Sequence, residues 1–253
     1  EARKRELEEI AAVCECVPAN PSRDFRDALQ ATAFVMATMQ LEQPGVSISN
    51  GRLDQYFFPY YRKDIEHGTI TEAQALELLE CLWLKLAESN IVAMEVLTYA
   101  HNGYPFWIQV PIGGQTADGY DATNDLSYLL LDVSSNMQLH EPTVSARIHK
   151  RTPDRFLMKC CESIKNHGGR HPALFNDEVI IPSQLAYVPG ITKEDAYNYC
   201  IIGCSEITFS GKGTEGIAHH AISLGTVLEL MLQGKSPFTG SPLESGPGNM
   251  LKW

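Results

Sequence analysis

The segment 201–206, Ile-Ile-Gly-Cys-Ser-Glu, places a thiol and a carboxylate two positions apart at the end of an apolar run. Residues two apart on an extended strand lie on the same side, so Cys204 and Glu206 can face one pocket together. The sulfur could remove a hydrogen atom from a substrate while the carboxylate, its pKa tuned by burial, moves a proton. A single cysteine after an apolar run is more commonly a buried core residue. The surrounding segments must therefore decide between the two interpretations.

A glycine-rich segment, Gly-Lys-Gly-Thr-Glu-Gly at 211–216, follows the cysteine and precedes a predicted helix. Glycines permit tight turns and close approach of the backbone to another group. The segment lacks the spacing of a phosphate-binding P-loop, because Gly213 stands where that motif requires Ser or Thr after the lysine. The sequence therefore predicts a loop close to Cys204 and argues against nucleotide binding.

Helices alternate with short strands along the chain. Apolar residues at three- and four-residue spacing predict helices, with Ser22, Thr71 and Thr192 as N-caps, over 3–17, 22–41, 71–86, 121–137, 153–167, 192–199 and 219–232. Apolar or alternating runs predict strands over 46–49, 107–112 and 143–148. This order predicts an α/β fold with strands inside and helices outside, and we find no linker that divides it into two domains.

Composition excludes several classes of protein. The formal net charge is −11 and no surface stretch concentrates Lys and Arg, which argues against a nucleic-acid partner. No run of about 18 apolar residues exists, so a membrane span is not expected.

The seven cysteines are odd in number, and the chain has no signal-like segment, so we expect the protein to be located in a reducing cytoplasm. Two close cysteine pairs, at 14 and 16 and at 160 and 161, lack zinc-site spacing, so we expect buried structural roles and no metal.

Five segments, in the same order along the chain, resemble the motifs of the glycyl radical enzymes. Gly-Cys-Ser-Glu followed by Gly-Lys and Thr-Glu-Gly, at 203–216, resembles the loop that carries the thiyl radical in that family. The other four are Ser-Ile-Ser-Asn-Gly-Arg-Leu-Asp-Gln-Tyr at 47–56, Asp-Ala-Thr-Asn-Asp-Leu-Ser at 121–127, Pro-Thr-Val-Ser-Ala-Arg at 142–147 and Pro-Ala-Leu-Phe-Asn-Asp-Glu at 172–178. The resemblance covers essentially all 253 residues.

The resemblance implies part of a ten-stranded α/β barrel with outer helices and the cysteine on a loop inside. Residues 1–253 would be the central portion of this pyruvate formate-lyase-like domain. The N-terminal part and the C-terminal glycyl radical domain would both be missing, since nothing in the sequence resembles the glycyl radical motif. This segment is therefore expected to be inactive by itself, and the full-length protein is expected to form a homodimer.

The resemblance also implies a mechanism. A glycyl radical outside this segment, installed by an activating enzyme that uses S-adenosylmethionine and an iron–sulfur cluster, passes to the cysteine. Cys204 would be the thiyl and Glu206 the general base, with no cofactor bound directly. The substrate would be a small organic molecule near Ser47, Ser49, Val110 and His219. Hydrogen abstraction would be followed by cleavage of a C–O, C–N, C–S or C–C bond.

Because the chain departs from the family patterns at several positions, the sequence does not decide which bond is cleaved. Ser205 follows Cys204, whereas pyruvate formate-lyase itself has two adjacent cysteines, so the chain resembles the dehydratase and choline lyase branch more closely. Ile207 replaces a usual Pro, and His219 or its neighbour replaces the Asp that assists loss of the leaving group in dehydratases.

Three alternatives remain. They are a pyruvate formate-lyase-type acyltransferase, a degenerate member without activity, and an anaerobic ribonucleotide reductase, which would need further cysteines near the loop.

We also expect Arg52 and Asp54 to pair inside the barrel.

Overall fold

The computed structural model describes residues 1–42, 47–89, 95–100, 107–213, 224–235 and 241. The helices are α1 (Ala2–Cys16), α2 (Phe25–Glu42), α3 (Leu53–Tyr56), α4 (Phe58–Glu66), α5 (Glu72–Ala87), α6 (Glu95–Ala100), α7 (Asp125–Met137), α8 (Asp154–Asn166), α9 (Asp177–Tyr187), α10 (Lys193–Tyr197) and α11 (Leu224–Gln233). The strands are β1 (Ser47–Ser49), β2 (Trp107–Gly113), β3 (Thr143–Ile148), β4 (Ala173–Asn176), β5 (Tyr199–Ile202) and β6 (Glu206–Phe209). Glu1–Glu215 form one compact unit, and Gly216–Trp253 form a second, of which the structure describes residues 224–235, including α11, and residue 241.

Strands β1 to β4 form a parallel sheet in sequence order. Side chains alternate between its two faces. One face is apolar and joins the main core with buried residues of α2, α5, α7 and α8, and its members include Ile48, Ile108, Ile112, Val144 and Ala146. The opposite face is polar, because its members include Ser47, Ser49, Gln109, Ser145 and Arg147. The sheet therefore has helices on one side and a polar surface on the other.

Strands β5 and β6 form an antiparallel hairpin that lies against the polar face of the sheet. Cys200 pairs with Thr208 and Ile202 pairs with Glu206, so these four residues share one face of the hairpin. The other face packs into a second apolar cluster, which contains Tyr199, Ile201, Phe209, Ile181 and Ala196. Strand β6 was not predicted from the sequence, and the start of β5 falls at the end of the predicted helix at 192–199.

A buried ion pair joins the sheet to the hairpin. The Arg147 guanidinium donates to both oxygens of Asp177, from Nε at 2.9 Å and from Nη2 at 3.0 Å, and both side chains are fully buried. The guanidinium also donates to the backbone carbonyl of Tyr199 at 3.1 Å and lies 3.8 Å above the centre of the Tyr199 ring. Burial, the largest single effect, lowers the pKa of Arg147, but the attraction and hydrogen bonds of Asp177 together with the attraction of Tyr199 and Cys200 raise it overall. The carboxyl end of β3 is thereby attached to the start of β5.

Arg52 and Asp54 do not form the direct pair that the sequence predicted. Each binds the same residue instead: Arg52 Nη2 donates to the Gly113 carbonyl at 2.7 Å, and the Gly113 N–H donates to Asp54 Oδ2 at 2.7 Å. Burial lowers the pKa of Arg52 to about 10, an effect that nearby Arg147 reinforces, and burial raises the pKa of Asp54. The two charged side chains therefore hold the last residue of β2 from both sides.

The predicted α/β class is confirmed, and so are the three predicted strands, observed as β1, β2 and β3, and the caps at Thr71 and Thr192. Ser22 does not cap α2; the carboxylate of Asp24 accepts the Asp27 N–H at 2.9 Å instead. Helix α7 begins at Asp125 rather than at 121, because Asn124 caps it with bonds to Leu126 and Ser127. The predicted helix at 219–232 is described only from Leu224.

The cysteine pairs do not all occupy the buried positions that were expected. Cys160 is buried, whereas Cys14 and Cys161 are exposed and Cys16 is half-buried. All seven cysteines are free thiols. Among the residues that the structure describes, no helix combines the length and apolarity needed to cross a membrane, and no three metal-binding side chains cluster.

Candidate active site

Cys204 lies at the tip of the β5–β6 hairpin. Gly203, Cys204 and Ser205 form the turn between the two strands. Gly203 has a φ of 61°, in the left-handed region where an L side chain is disfavoured. The thiol is therefore presented at an exposed turn, as the sequence predicted for a strand end.

Glu206 is held beside this turn. Its Oε2 accepts the backbone N–H of Ser205 at 3.0 Å. An atom added at the Cβ position of Gly203 would collide with the Glu206 carboxylate and would lie 3.1 Å from Ser47 Oγ. The Glu206 carboxylate and the Ser47 hydroxyl therefore both lie next to Gly203, the residue directly before Cys204.

The surroundings of the Cys204 sulfur favour its thiol form over the thiolate. Partial burial raises the pKa of Cys204, and the nearby Glu206 carboxylate raises it further, because a thiolate there would be poorly solvated and repelled. A thiol retains its hydrogen atom, whereas a thiolate is the nucleophilic form of cysteine. The local electrostatics therefore suit hydrogen-atom transfer better than nucleophilic attack.

The predicted substrate-binding residues differ in where they lie. The Ser47 hydroxyl is buried near Gly203 and has no hydrogen-bond partner among the described residues. The Ser49 hydroxyl instead accepts the Gly51 N–H at 3.3 Å. Val110 is fully buried in the apolar core on the opposite face of the sheet, so the structure does not bring it to Cys204. His219 lies outside the described residues.

Gln109 is a residue near the site that the sequence analysis missed. Its Nε2 donates to the Gly203 carbonyl at 2.6 Å, and its Oε1 accepts the Ser145 hydroxyl at 2.7 Å. The available signal was a polar residue inside an otherwise apolar strand, since Gln109 interrupts the run at 107–112. Ser145 gives the same signal inside β3.

The base of the hairpin is attached to two neighbouring segments. The Tyr56 hydroxyl of α3 donates to Ser210 Oγ at 2.8 Å and accepts from Asn198 Nδ2 at 3.3 Å. Lys212, in the glycine-rich segment, forms an ion pair with Asp195 of α10 at 2.8 Å. The segment that follows Cys204 is therefore held close to the hairpin up to residue 213.

The whole chain resembles one family. A model of the family described as pyruvate formate lyase-like matches residues 1–245. The chain is 45% identical over 232 residues to an isethionate sulfite-lyase of Oleidesulfovibrio alaskensis, a match that covers 91% of this chain but 28% of the relative. The chain thus spans about 28% of the length of that relative.

Solved structures give the same result. A structure that concerns 1,2-propanediol dehydration in Roseburia inulinivorans matches with a TM-score of 0.76 and 40% identity, over 82% of this chain and 26% of that one. A glycyl radical enzyme from Archaeoglobus fulgidus matches with a TM-score of 0.77 and 35% identity, over 83% and 27%. These likenesses confirm the predicted fold, part of an α/β barrel, and the predicted resemblance.

Proposed function

The chain belongs to the pyruvate formate lyase-like family, and from that premise we propose that it carries the thiyl site of a glycyl radical lyase. The observation that supports this most directly is the hairpin tip, where the Cys204 thiol and the Glu206 carboxylate lie close together. We propose the Cys204 sulfur as the atom that removes hydrogen from the substrate and Glu206 as the base. Ser47 would contact the substrate through its hydroxyl, which has no hydrogen-bond partner among the described residues.

The radical itself is proposed to come from outside this segment. A protein glycyl radical would supply the unpaired electron by taking the hydrogen atom of Cys204. The thiol at the tip fits that transfer, since it is exposed and its raised pKa favours the form that carries the S–H bond. An activating enzyme that uses S-adenosylmethionine and an iron–sulfur cluster, and a homodimeric full-length protein, are parts of the same proposal.

We propose a carbon–sulfur bond as the bond that is cleaved, with isethionate, 2-hydroxyethanesulfonate, as the first substrate to test. The relative that acts on isethionate is 45% identical to this chain. The Asp that assists departure of hydroxide in dehydratases is replaced near His219. Hydroxide is a poor leaving group that needs an acid, whereas sulfite departs as a stable anion. The substitution therefore favours sulfite as the leaving group.

The proposed reaction balances with the residues named. The Cys204 sulfur removes a hydrogen atom from the carbon that bears the hydroxyl group. Glu206 accepts the hydroxyl proton while the neighbouring carbon–sulfur bond breaks and sulfite leaves. Cys204 then returns its hydrogen atom to the carbon that lost sulfite. The products are acetaldehyde and sulfite, and the proton on Glu206 passes to solvent or to sulfite.

We also propose that residues 1–253 are the central portion of a longer barrel domain, because they correspond to about 28% of a relative's length. The acyltransferase alternative has less support, since Cys204 has Gly203 and Ser205 as neighbours, whereas pyruvate formate-lyase itself has two adjacent cysteines. A degenerate member without activity has less support as well, because Cys204 and Glu206 are both present and close to each other.

The deciding experiment uses the full-length protein, activated without oxygen and supplied in separate reactions with isethionate, 1,2-propanediol and glycerol. We expect sulfite and acetaldehyde in equal amounts from isethionate. Cys204→Ala should abolish turnover while the glycyl radical still forms, as seen by electron paramagnetic resonance. Cys200→Ala, which removes a buried sulfur from the same hairpin, is the matched control and should retain turnover.

Two results would contradict the proposal. Turnover by Cys204→Ala would remove this sulfur from the mechanism. Dehydration of a diol without any sulfite release from isethionate would keep the radical mechanism but replace the carbon–sulfur bond by a carbon–oxygen bond.

A further inference from the structure

We infer that Gln109 and Ser145 form a positioning pair that sets the place of the Cys204 sulfur. This inference rests on the proposed role of Cys204. Gln109 lies on β2 and Ser145 on β3, both on the polar face of the sheet, and both side chains are buried, with 2% and 0% exposure. Neither touches the reacting atoms in this role; they act through the turn that carries the sulfur.

The two hydrogen bonds fix the orientation of the Gln109 amide. The Gly203 carbonyl can only accept, so the atom 2.6 Å from it must be the amide nitrogen. The other end of the amide is then the oxygen, which accepts the Ser145 hydroxyl at 2.7 Å. A reversed amide would place two acceptors together at Gly203, whereas the Ser145 hydroxyl could bind either end of the amide, because it can accept as well as donate. The Gly203 carbonyl therefore selects the orientation of Gln109, and the Ser145 hydroxyl binds the other end of the amide in that orientation.

The hydrogen bond from Gln109 to Gly203 can control the position of the Cys204 thiol because it binds the neighbouring residue. Gly203 is the residue directly before Cys204, so its carbonyl belongs to the peptide that leads into the Cys204 backbone nitrogen. Gln109 itself is fixed within the sheet, because it pairs with Ser49 on one side and Thr143 on the other. Its carbonyl also accepts the Asn50 N–H at 2.9 Å. A rigid strand thus holds the turn by one short bond.

A neutral amide is the group that suits this position. It donates to the carbonyl without adding charge beside Glu206, whose carboxylate also faces Gly203. A glutamate at 109 would offer only acceptors when ionised and would repel the Gly203 carbonyl. The same glutamate could donate again when protonated. This difference between Gln and Glu gives a test that simple loss of packing would not reproduce.

The first measurement is turnover of isethionate by the activated full-length protein as a function of pH. Gln109→Leu should lower kcat about tenfold or more at every pH, as expected for the loss of one buried hydrogen bond. Gln109→Glu should be as impaired at high pH and should recover towards the wild-type rate as pH falls. Cys204 and Glu206 are titratable groups that the structure places at the turn. Gln109→Leu keeps both and adds no charge, so its pH profile is the reference for the recovery of Gln109→Glu. Ser145→Ala should lower kcat by a smaller factor.

The second measurement does not require turnover. Hydrogen–deuterium exchange of hairpin peptides covering 199–209 should become faster by about tenfold in Gln109→Leu, since the turn loses its attachment to the sheet. Peptides of α5 should be unchanged. Gln55→Leu is a matched control, because it removes a side-chain amide bond of 2.8 Å to a different carbonyl, that of Ala122. It should leave exchange at 203–206 unaltered.

The outcomes separate this inference from the proposed function. Wild-type exchange and kcat in Gln109→Leu, or a Gln109→Glu variant without recovery at low pH, would overturn the positioning pair and leave the role of Cys204 intact. Turnover by Cys204→Ala would instead overturn the proposed function, and the positioning role with it, even if exchange showed that Gln109 holds the turn.

Discussion

The carboxylate of Glu206 occupies the space that a side chain on Gly203 would need. A Cβ atom at residue 203 would collide with Glu206 Oε2 and approach Ser47 Oγ to 3.1 Å. The φ of 61° at Gly203 adds a second and independent requirement for glycine. The residue before the thiol therefore shapes both the turn and the position of the proposed base.

Substitution of Gly203 should affect activity more than folding. Gly203→Ala should displace the Glu206 carboxylate and lower kcat by about 10²-fold or more, the size of contribution expected of a displaced general base. Gly211→Ala is the matched control, because Gly211 also has a positive φ, 72°, but a Cβ there would meet no atom within 4 Å. Both should lose about 1–2 kcal/mol of stability from the backbone conformation. Equal kcat values for the two variants would show that the space beside Glu206 is unimportant.

Glu206→Gln should retain the structure of the turn but lose proton transfer. The glutamine oxygen can still accept the Ser205 N–H, which now binds Oε2 at 3.0 Å. We expect kcat to fall by about 10²–10⁴-fold, the range for removal of a general base. Steady-state kinetics with isethionate, together with unchanged hydrogen exchange at 203–206, would check this. A variant with nearly full activity would exclude Glu206 as the base.

The same variant should make the Cys204 thiol more acidic. Burial raises the pKa of Cys204 above its usual range, and the Glu206 charge adds to that rise. Removal of the charge leaves the effect of burial and takes away the repulsion, so the pKa should fall in Glu206→Gln. Alkylation of Cys204 by iodoacetamide, followed by mass spectrometry, should show an inflection at lower pH than in the wild type. Exposed Cys14 and Cys161 provide reference rates in the same sample.

Asp177→Asn should destabilise the segment strongly. Each Asp177 oxygen accepts two hydrogen bonds, from Arg147 and the Tyr199 hydroxyl at Oδ1 and from Arg147 and the Gln115 N–H at Oδ2. An amide group would point a donor at existing donors and leave a buried guanidinium without its counter-charge. We expect the free energy of unfolding to fall by about 3–5 kcal/mol. Chemical unfolding, followed through peptides of the hairpin, would measure this fall. Glu88→Gln, in the exposed pair with Lys85, should change the free energy of unfolding little by comparison.

Local chemistry in the sequence was enough to predict the hairpin tip. The apolar run before Gly203 and the two-residue spacing of Cys204 and Glu206 predicted a thiol and a carboxylate at a strand end, and the structure places them there. The roles of these two residues stay predictions. A helix cap was also predictable from the sequence where one candidate residue was present. Thr71 is an example, because its hydroxyl accepts the Gln74 N–H as predicted.

Contacts between distant segments could not be predicted in this way. Gln109 and Gly203 are 94 residues apart, so their bond depends on how the hairpin docks on the sheet. The error at Ser22 has a similar origin: α2 begins at Phe25, whose N–H is held by Asp64 at 2.8 Å, and this distant contact selects Asp24 as the cap. Arg52 and Asp54 carry opposite charges two positions apart, but the fold brings Gly113 between them.

The parallel sheet has one further consequence. Strands β1 and β4 stand at its two edges, and within the described residues each is hydrogen-bonded to a strand on one side alone. Backbone groups at such edges can bind an extended strand from another molecule. Residues 1–253 made as an isolated polypeptide are therefore prone to self-association by strand addition. Solubility would depend on whether other strands cover these two edges.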